Sequence, residues 1–278
     1  MHLLDSFISK EKDKGKSSET IRSYHYKLLQ FEKWLGAAGT DLYSFSRSDI
    51  QQYLDDLTAQ KKSASTINAH YAAIRSFAQF AKKSDCINDI RIVKAPNLYR
   101  EAPIALERKE VLRILREVDR NGNKRDMAII LTGIYAGIRV AEIVALDIDD
   151  INFSERQGTI RVRQGKGNKE RIIPLHKEAR YAITNYLKSR ESTADALFLS
   201  NRQKRISIRS VQQICNKYGV NPHKFRHTFV TDLVDAGIDD KTIQTLTGHE
   251  SPAMITRYRS VRPEDKQNAI EALYRDRD

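Results

Sequence analysis

The sequence is poor in everything that would staple or anchor a chain. It has only two cysteines in 278 residues. Cys86 and Cys215 lie far apart with no paired spacing, which excludes a disulfide scaffold and suits a reducing cytoplasm better than secretion. Long hydrophobic runs are missing. The greasiest stretch, Ala128 to Ile138, falls well short of the ~20 residues that a membrane span needs. At the start, Met1-His2-Leu3-Leu4-Asp5 returns to charge before a signal-like apolar run can build. Secreted and membrane classes are therefore excluded, and a cytoplasmic protein is expected. Acidic residues are in deficit, with 36 Asp+Glu against 48 Lys+Arg for a net charge of +12. That balance argues against acidic partners and for polyanions, with nucleic acid first and an anionic membrane surface second. Internal repeats and low-complexity tracts are absent too. What remains, 40% hydrophobic and 30% charged residues, describes a soluble globular chain long enough for about two domains, each with its own core.

Periodicity predicts a mainly α protein with one small antiparallel β element. In the first ninety-odd residues, Ile21, Tyr24, Leu28, Phe31 and Leu35 recur at steps of three and four, one face of a helix that stops near Gly36. Ser48-Asp49-Ile50-Gln51 reads as a capping box opening a second stripe, Ile50, Tyr53, Leu54 and Leu57. Ile67, Tyr71, Ile74, Phe77 and Ala81 form another, and a short segment around Leu3 to Ile8 brings the total to about four helices. From Val93 to Pro103 the period lapses and two prolines appear, the composition of a tether. The expected division is a helical domain over 1–92, a linker over 93–105 and a second domain over 106–278. In that second domain, Thr159 to Arg163 alternates, Gln164 to Asn168 is turn chemistry and Arg171 to Pro174 returns as a strand. Helices are predicted on either side, among them one capped by Asn221 with Pro222 at its first position.

The stretch from Asn201 to His227 holds Arg202, Lys204, Arg205, Arg209, Lys217, Lys224 and Arg226 with no acidic residue. A solvated helix face normally mixes signs, so a run this one-sided favours phosphate contact over an ordinary basic surface. Within it, His223 and Arg226 are three apart near a helix start, on one side of the helix and beside its unpaired N–H groups. These are the parts of a phosphate site, although on this fragment alone a capped helix with a surface histidine is the slightly simpler reading. A zinc site from His223, His227 and His249 fits poorly, because Lys224 stands where the metalloprotease pattern needs glutamate and Arg226 adds a further cation. Tyr258, between Arg257 and Arg259, is a core aromatic or, in that cationic setting, an activated phenol. Arg139 follows a helix break at Gly137 and could simply pair with Glu142. Lys166 sits in a glycine-flanked turn that could approach a phosphate backbone closely or merely be solvated.

Taken in order, Arg139, Lys166, His223-x-x-Arg226, His249 and Tyr258 resemble the active-site series of the tyrosine recombinases, the phage integrase superfamily with its Xer-type enzymes. The resemblance runs over essentially the whole chain. Gly137-Ile138-Arg139-Val140-Ala141-Glu142 is similar to the family's first arginine box, and Gly165 to Arg171 to its β-hairpin lysine segment. His223 to Phe229, and Gly248-His249 followed by Tyr258, resemble the second box. Phe225 and Thr247 depart from the usual leucines at supporting positions.

The resemblance implies a four-helix, SAM-like core-binding domain followed by a mostly helical catalytic domain with a C-terminal helix. It also implies a reaction without cofactor or metal, in which a 3′-phosphotyrosyl link to double-stranded DNA forms and is reversed. By that resemblance Tyr258 is the nucleophile, and Arg139 and Arg226 fork onto the phosphate oxygens. His249 donates to the same oxygens, His223 accepts the phenolic proton and Lys166 protonates the leaving 5′-oxygen. Arg75, Lys82, Lys169, Arg202, Lys204, Arg205, Arg209 and Lys224 are the further candidates for DNA contact. A specific recombination site and a homotetramer, or pairs of dimers, on DNA are the expected partners. The C-terminal helix, with Ala269, Ile270 and Leu273, packs on a neighbouring subunit or on its own domain. With no long segment before residue 20, integrases that need accessory arm sites fit less well, while integration, dimer resolution and cointegrate resolution all remain open. A type IB topoisomerase and a purely architectural DNA-binding protein are the rival readings.

Overall fold

The computed structural model describes residues 3–94, 103–154, 156–163, 170–249 and 251–259. Lys166, Lys169, most of the predicted tether and the predicted C-terminal helix lie outside them. The chain divides into two compact units, Met1–Leu98 and Tyr99–Asp278.

In the first unit, α1 (Leu3–Asp13), α2 (Ser18–Ala37), α3 (Arg47–Ala59) and α4 (Ala64–Phe80) are followed by a 3-10 turn at Ser84–Ile87. The stripes read from sequence meet in one core, where Phe7, Leu28, Phe31, Leu35, Ile50, Ile74 and Phe77 are fully buried. Serines start three of these helices, since the hydroxyls of Ser17, Ser46 and Ser63 each accept an N–H of the first turn. The capping box predicted at Ser48 is instead formed by Ser46 and Asp49. The Asp49 carboxylate accepts the Ser46 N–H at 2.7 Å, while the Asp49 N–H reaches the Ser46 hydroxyl at 3.4 Å. A carboxylate at that place closes the box more strongly than the amide of Gln51 can, so Ser48 lies inside the helix.

In the second unit come α5 (Arg108–Arg120), α6 (Lys124–Ala136) and α7 (Val140–Ala145), then β1 (Ile151–Phe153), β2 (Gly158–Val162) and β3 (Arg171–Pro174). After them follow α8 (Lys177–Lys188), α9 (Ile208–Lys217), α10 (Pro222–Asp235), α11 (Asp240–Thr247) and α12 (Pro252–Thr256). The strands form an antiparallel sheet in the order β1-β2-β3, with Ile160 opposite both Ile151 and Ile173. α6 runs through the middle and packs against α5, α7, α8, α9 and α10. It is apolar almost all round, as a helix with no solvent face must be. Gly133 sets its crossing with α10, because a Cβ there would lie 2.8 Å from the Phe225 ring.

Candidate active site

Two glycine stops aim the site. α6 ends at Gly137 in the left-handed region (φ 58°), and α11 ends the same way at Gly248 (φ 66°). At Gly137 a side chain is opposed twice over, by the left-handed backbone and because its Cβ would lie 2.2 Å from the Phe229 ring. The turn at Gly137 puts Arg139 at the start of α7. There its backbone N–H and its guanidinium both bind Glu142, at 2.8 and 3.0 Å.

The end of α11 is where the cations converge. The last carbonyls of a helix have no intrahelical partner and carry the negative end of its dipole. Here three successive ones each take an arginine. Arg171 Nε donates to the Leu246 carbonyl at 3.0 Å, Arg226 Nη2 to that of Thr247 at 2.7 Å and Arg139 Nη2 to that of Gly248 at 3.3 Å. Arg226 also bonds the Gly137 carbonyl at 2.9 Å, tying the two glycine stops together. Glu142 lies beneath the group and accepts both forks of Arg171, at 3.1 and 2.7 Å. Burial pushes its carboxyl up, but Arg171 and Arg139 together hold it below the ordinary carboxylate value of 4.5. Burial, with Arg139 and Arg171 nearby, pulls the Arg226 guanidinium down to about 10, so it stays charged at neutral pH. Among the described residues, these three guanidiniums share one carboxylate, Glu142, which leaves two positive charges without an acidic partner.

His249 sits at the same end. Its Nδ1 is 2.8 Å from the Thr247 hydroxyl, whose own hydrogen goes to the Ile243 carbonyl at 2.6 Å. The hydroxyl can therefore only accept, which puts a proton on Nδ1. Burial first, then the three arginines, press the imidazole down to about 3, leaving it neutral.

Tyr258 closes the site from α12's end. Its ring is buried against Val230, Ile243 and Ile255, with centroids 5.9 Å from His227 and 6.3 Å from His249. The phenol oxygen is 2.8 Å from Nδ1 of His227. Burial raises the phenol above its ordinary 10.0, while Arg226 and Arg257 pull the other way. His227 itself is held below 6.5 by burial and by His223, Arg257 and Arg226.

Of the residues expected from sequence, Arg139, Arg226, His249 and Tyr258 come together. His223 is exposed in the first turn of α10, whose opening by Asn221 and Pro222 matches the expectation. Arg75, Lys82, Arg202, Lys204 and Arg209 are exposed and Lys224 is half-buried. Arg205 is exposed too, but its guanidinium is already engaged, by Asp147 and by the carbonyls of Val144 and Leu146. Sequence reasoning missed Arg171, which occupies an inward position of β3, and treated His227 only as a metal ligand. No group of three His, Cys, Asp or Glu side chains among the described residues could hold a metal.

Residues 105–265 match the phage integrase family, and residues 5–85 match its N-terminal SAM-like domain. The chain belongs to the phage integrase family. Its SAM-like match falls in the all-helical first unit and its integrase match in the mostly helical second one that carries the small sheet. It is 32% identical to the tyrosine recombinase XerA of Pyrococcus horikoshii, over 97% of this chain and 92% of the relative. Its fold is similar to that of the Tn1549 transposon integrase in complex with transposon right end DNA, with a TM-score of 0.76 at 19% identity over 98% of this chain and 99% of that one. A lambda integrase tetramer bound to a Holliday junction is also similar, with a TM-score of 0.71 at 19% identity over 93% and 76% of the two chains. No helix among the described residues is long and apolar enough to cross a membrane.

Proposed function

We propose that this tyrosine recombinase cuts and rejoins double-stranded DNA at a specific site, with Tyr258 as the nucleophile. The observation that carries the assignment is the placing of the Tyr258 phenol beside Arg226, His227 and His249, at the edge of an arginine cluster with excess positive charge. The phenol oxygen attacks the scissile phosphorus, so that the Oη–P bond forms and the P–O5′ bond breaks. The phenolic proton passes to a histidine of α10, and the 5′-oxygen takes a proton from Lys166, the role that the family resemblance gives it. A free 5′-hydroxyl, from the same or a partner strand, reverses the step. One phosphodiester replaces another, so the exchange needs no energy-supplying cofactor.

Arg139 and Arg226 stabilise the extra charge on the five-coordinate phosphorus by prearranged hydrogen bonding. His249 adds a bond to the same oxygens, and His223 faces the phosphate from the start of α10. Residues 1–92 act as the core-binding domain, 93–105 as the linker and 106–278 as the catalytic domain. Arg75 and Lys82 in the first, with Arg202, Lys204, Arg209, Lys224 and Lys169 in the second, contact the DNA backbone. The working assembly is a tetramer on two DNA segments in the cytoplasm, and its task is the integration or excision of DNA or the resolution of dimers or cointegrates.

A duplex retained by the protein from a randomised pool, nicked so that the released fragment diffuses away, tests this directly. The parental protein is expected to form a covalent adduct visible on a denaturing gel. Tyr258→Phe is expected to form none while retaining the duplex. An adduct in that variant overturns the assignment of the nucleophile.

A further inference from the structure

The reading of Tyr258 as nucleophile leaves open which side chain takes its proton. Resting on that reading, we infer that His227, and not His223, is the catalytic base for the cleavage step, receiving the Tyr258 proton on Nδ1 as the Oη–P bond forms.

The geometry singles it out. His227 Nδ1 lies 2.8 Å from the phenol oxygen, within the range for direct transfer. The two rings are tilted by 39° with centroids 5.9 Å apart, so the contact is made edge to edge through these atoms and not by stacking. The partners come from α10 and from the turn that follows α12, 31 residues apart in sequence, and each is immobilised by its surroundings. Tyr258 is fixed in its apolar nest of Val230, Ile243 and Ile255, and His227 is half-buried one residue after Arg226. His223 stands a full helical turn earlier on an exposed position. His249, the third imidazole near the phenol, already has its Nδ1 on Thr247.

The direction of transfer follows from the charges around the pair. The groups that face His227 are His223 and Arg226 on its own helix, Arg257 and Tyr258 from α12's end, and His249 beyond α11. Burial and the cations among them hold the imidazole below 6.5, hence neutral and able to accept at physiological pH. The phenol, raised by burial, keeps its hydrogen until an acceptor takes it. With the phenol as donor, His227 carries its own proton on Nε2. After transfer the imidazolium lies beside a phosphotyrosine diester, whose negative charge offsets the repulsion from Arg226 and Arg257. The proton is thus stored where the reverse reaction needs it.

The test uses the full-length protein and the nicked duplex described above, in single-turnover trapping across pH. His227→Asn keeps an acceptor oxygen near the place of Nδ1 but cannot hold the proton. It is expected to retain the duplex and to trap it roughly 100-fold or more slowly than the parent, within the range for general base catalysis. The deficit should shrink as pH rises, because a phenol that ionises unaided has no need of a base. His223→Asn is expected to show a smaller loss that does not vary with pH. Trapping by His227→Asn within about threefold of the parent, with an unchanged pH profile, overturns the inference, as does a pH-dependent deficit in His223→Asn instead.

If the substitution unfolds the unit, the pair is read in the parental protein by nitrogen-15 NMR of its histidines. An unprotonated Nδ1 on His227 is expected. A protonated Nδ1, with the phenol oxygen as acceptor, overturns the inference. Failure of the parent itself to form an adduct sinks the recombinase reading instead, while the NMR result still judges the pair.

Discussion

A buried phenol is a weak nucleophile until something both removes its proton and welcomes the charge it creates. In the proposed mechanism the two duties fall to different residue types. The guanidiniums are proposed to hold the phosphate oxygens because they are planar, permanently charged and able to fork across two atoms, which a lysine ammonium cannot do. Arg139→Lys is therefore expected to lower covalent trapping by about 100-fold or more while leaving duplex retention within a few-fold. Near-parental trapping would count against a forked contact. His249 makes a different expectation possible. Its Nδ1 proton is committed to Thr247 and its neutral form has no second one, so it can donate to a phosphate only after gaining a proton. Burial and the arginines hold it neutral in the free protein, whereas an arriving phosphate reverses the local field. DNA binding should then take up about one proton through this linkage, measured by calorimetry in buffers of differing ionisation heat. Uptake should vanish in His249→Gln, and binding should weaken as pH rises through the pKa of the bound form. Equal uptake by parent and variant would remove His249 from that role.

At the scale of elements, the site depends on how two helices end. Gly137→Ala forces a Cβ into the left-handed region and into the Phe229 ring. A cost of about 3 kcal/mol is expected from backbone strain and overpacking together, read as a lowered denaturation midpoint of the second unit. Full stability in that variant would mean that the stop at Gly137 is freely remodelled. Such ends were legible in the sequence: Gly137, Asn221-Pro222 and Thr247-Gly248 all announce themselves through local backbone chemistry. The antiparallel pair β2–β3 was legible through its alternation. β1 was not, because Ile151-Asn152-Phe153 is too short to show a period and pairs only because Ile160 lies opposite. The capping box slipped by two residues because Ser46 and Ser48 are both plausible caps, and only the carboxylate of Asp49 decides between them. Arg171 could not be recognised as part of the site, since the partner that justifies its inward position, Glu142, is 29 residues away. His227 was missed for the same reason. Its neighbours in the chain suggest a ligand or a surface, and only folding brings Tyr258 to it.

For the molecule as a whole, a charge of +12 is a statement about affinity more than about chemistry. Each phosphate neutralised should add about 0.9 to the slope of log affinity against log salt. Replacing Arg202 and Lys204 by Ala should therefore lower that slope by close to two, with trapping at saturating duplex nearly unchanged. Replacing Arg205 should leave the slope alone and weaken the fold, because its guanidinium already serves Asp147 and two carbonyls. A slope that responds to Arg205 and ignores the other two would reverse this division of labour.

The ladder of three peptide oxygens at the end of α11 has one more consequence. Amide dipoles can keep cations at close quarters without neutralising them, so the arginines stand assembled yet retain their appetite for an anion. A strand of DNA reaching them meets three guanidiniums that share one carboxylate, Glu142, and need only draw their spare hydrogens toward itself. The same arrangement makes the grip all-or-nothing, for a slip of α11 by a single residue would carry every one of those oxygens away from its arginine at once.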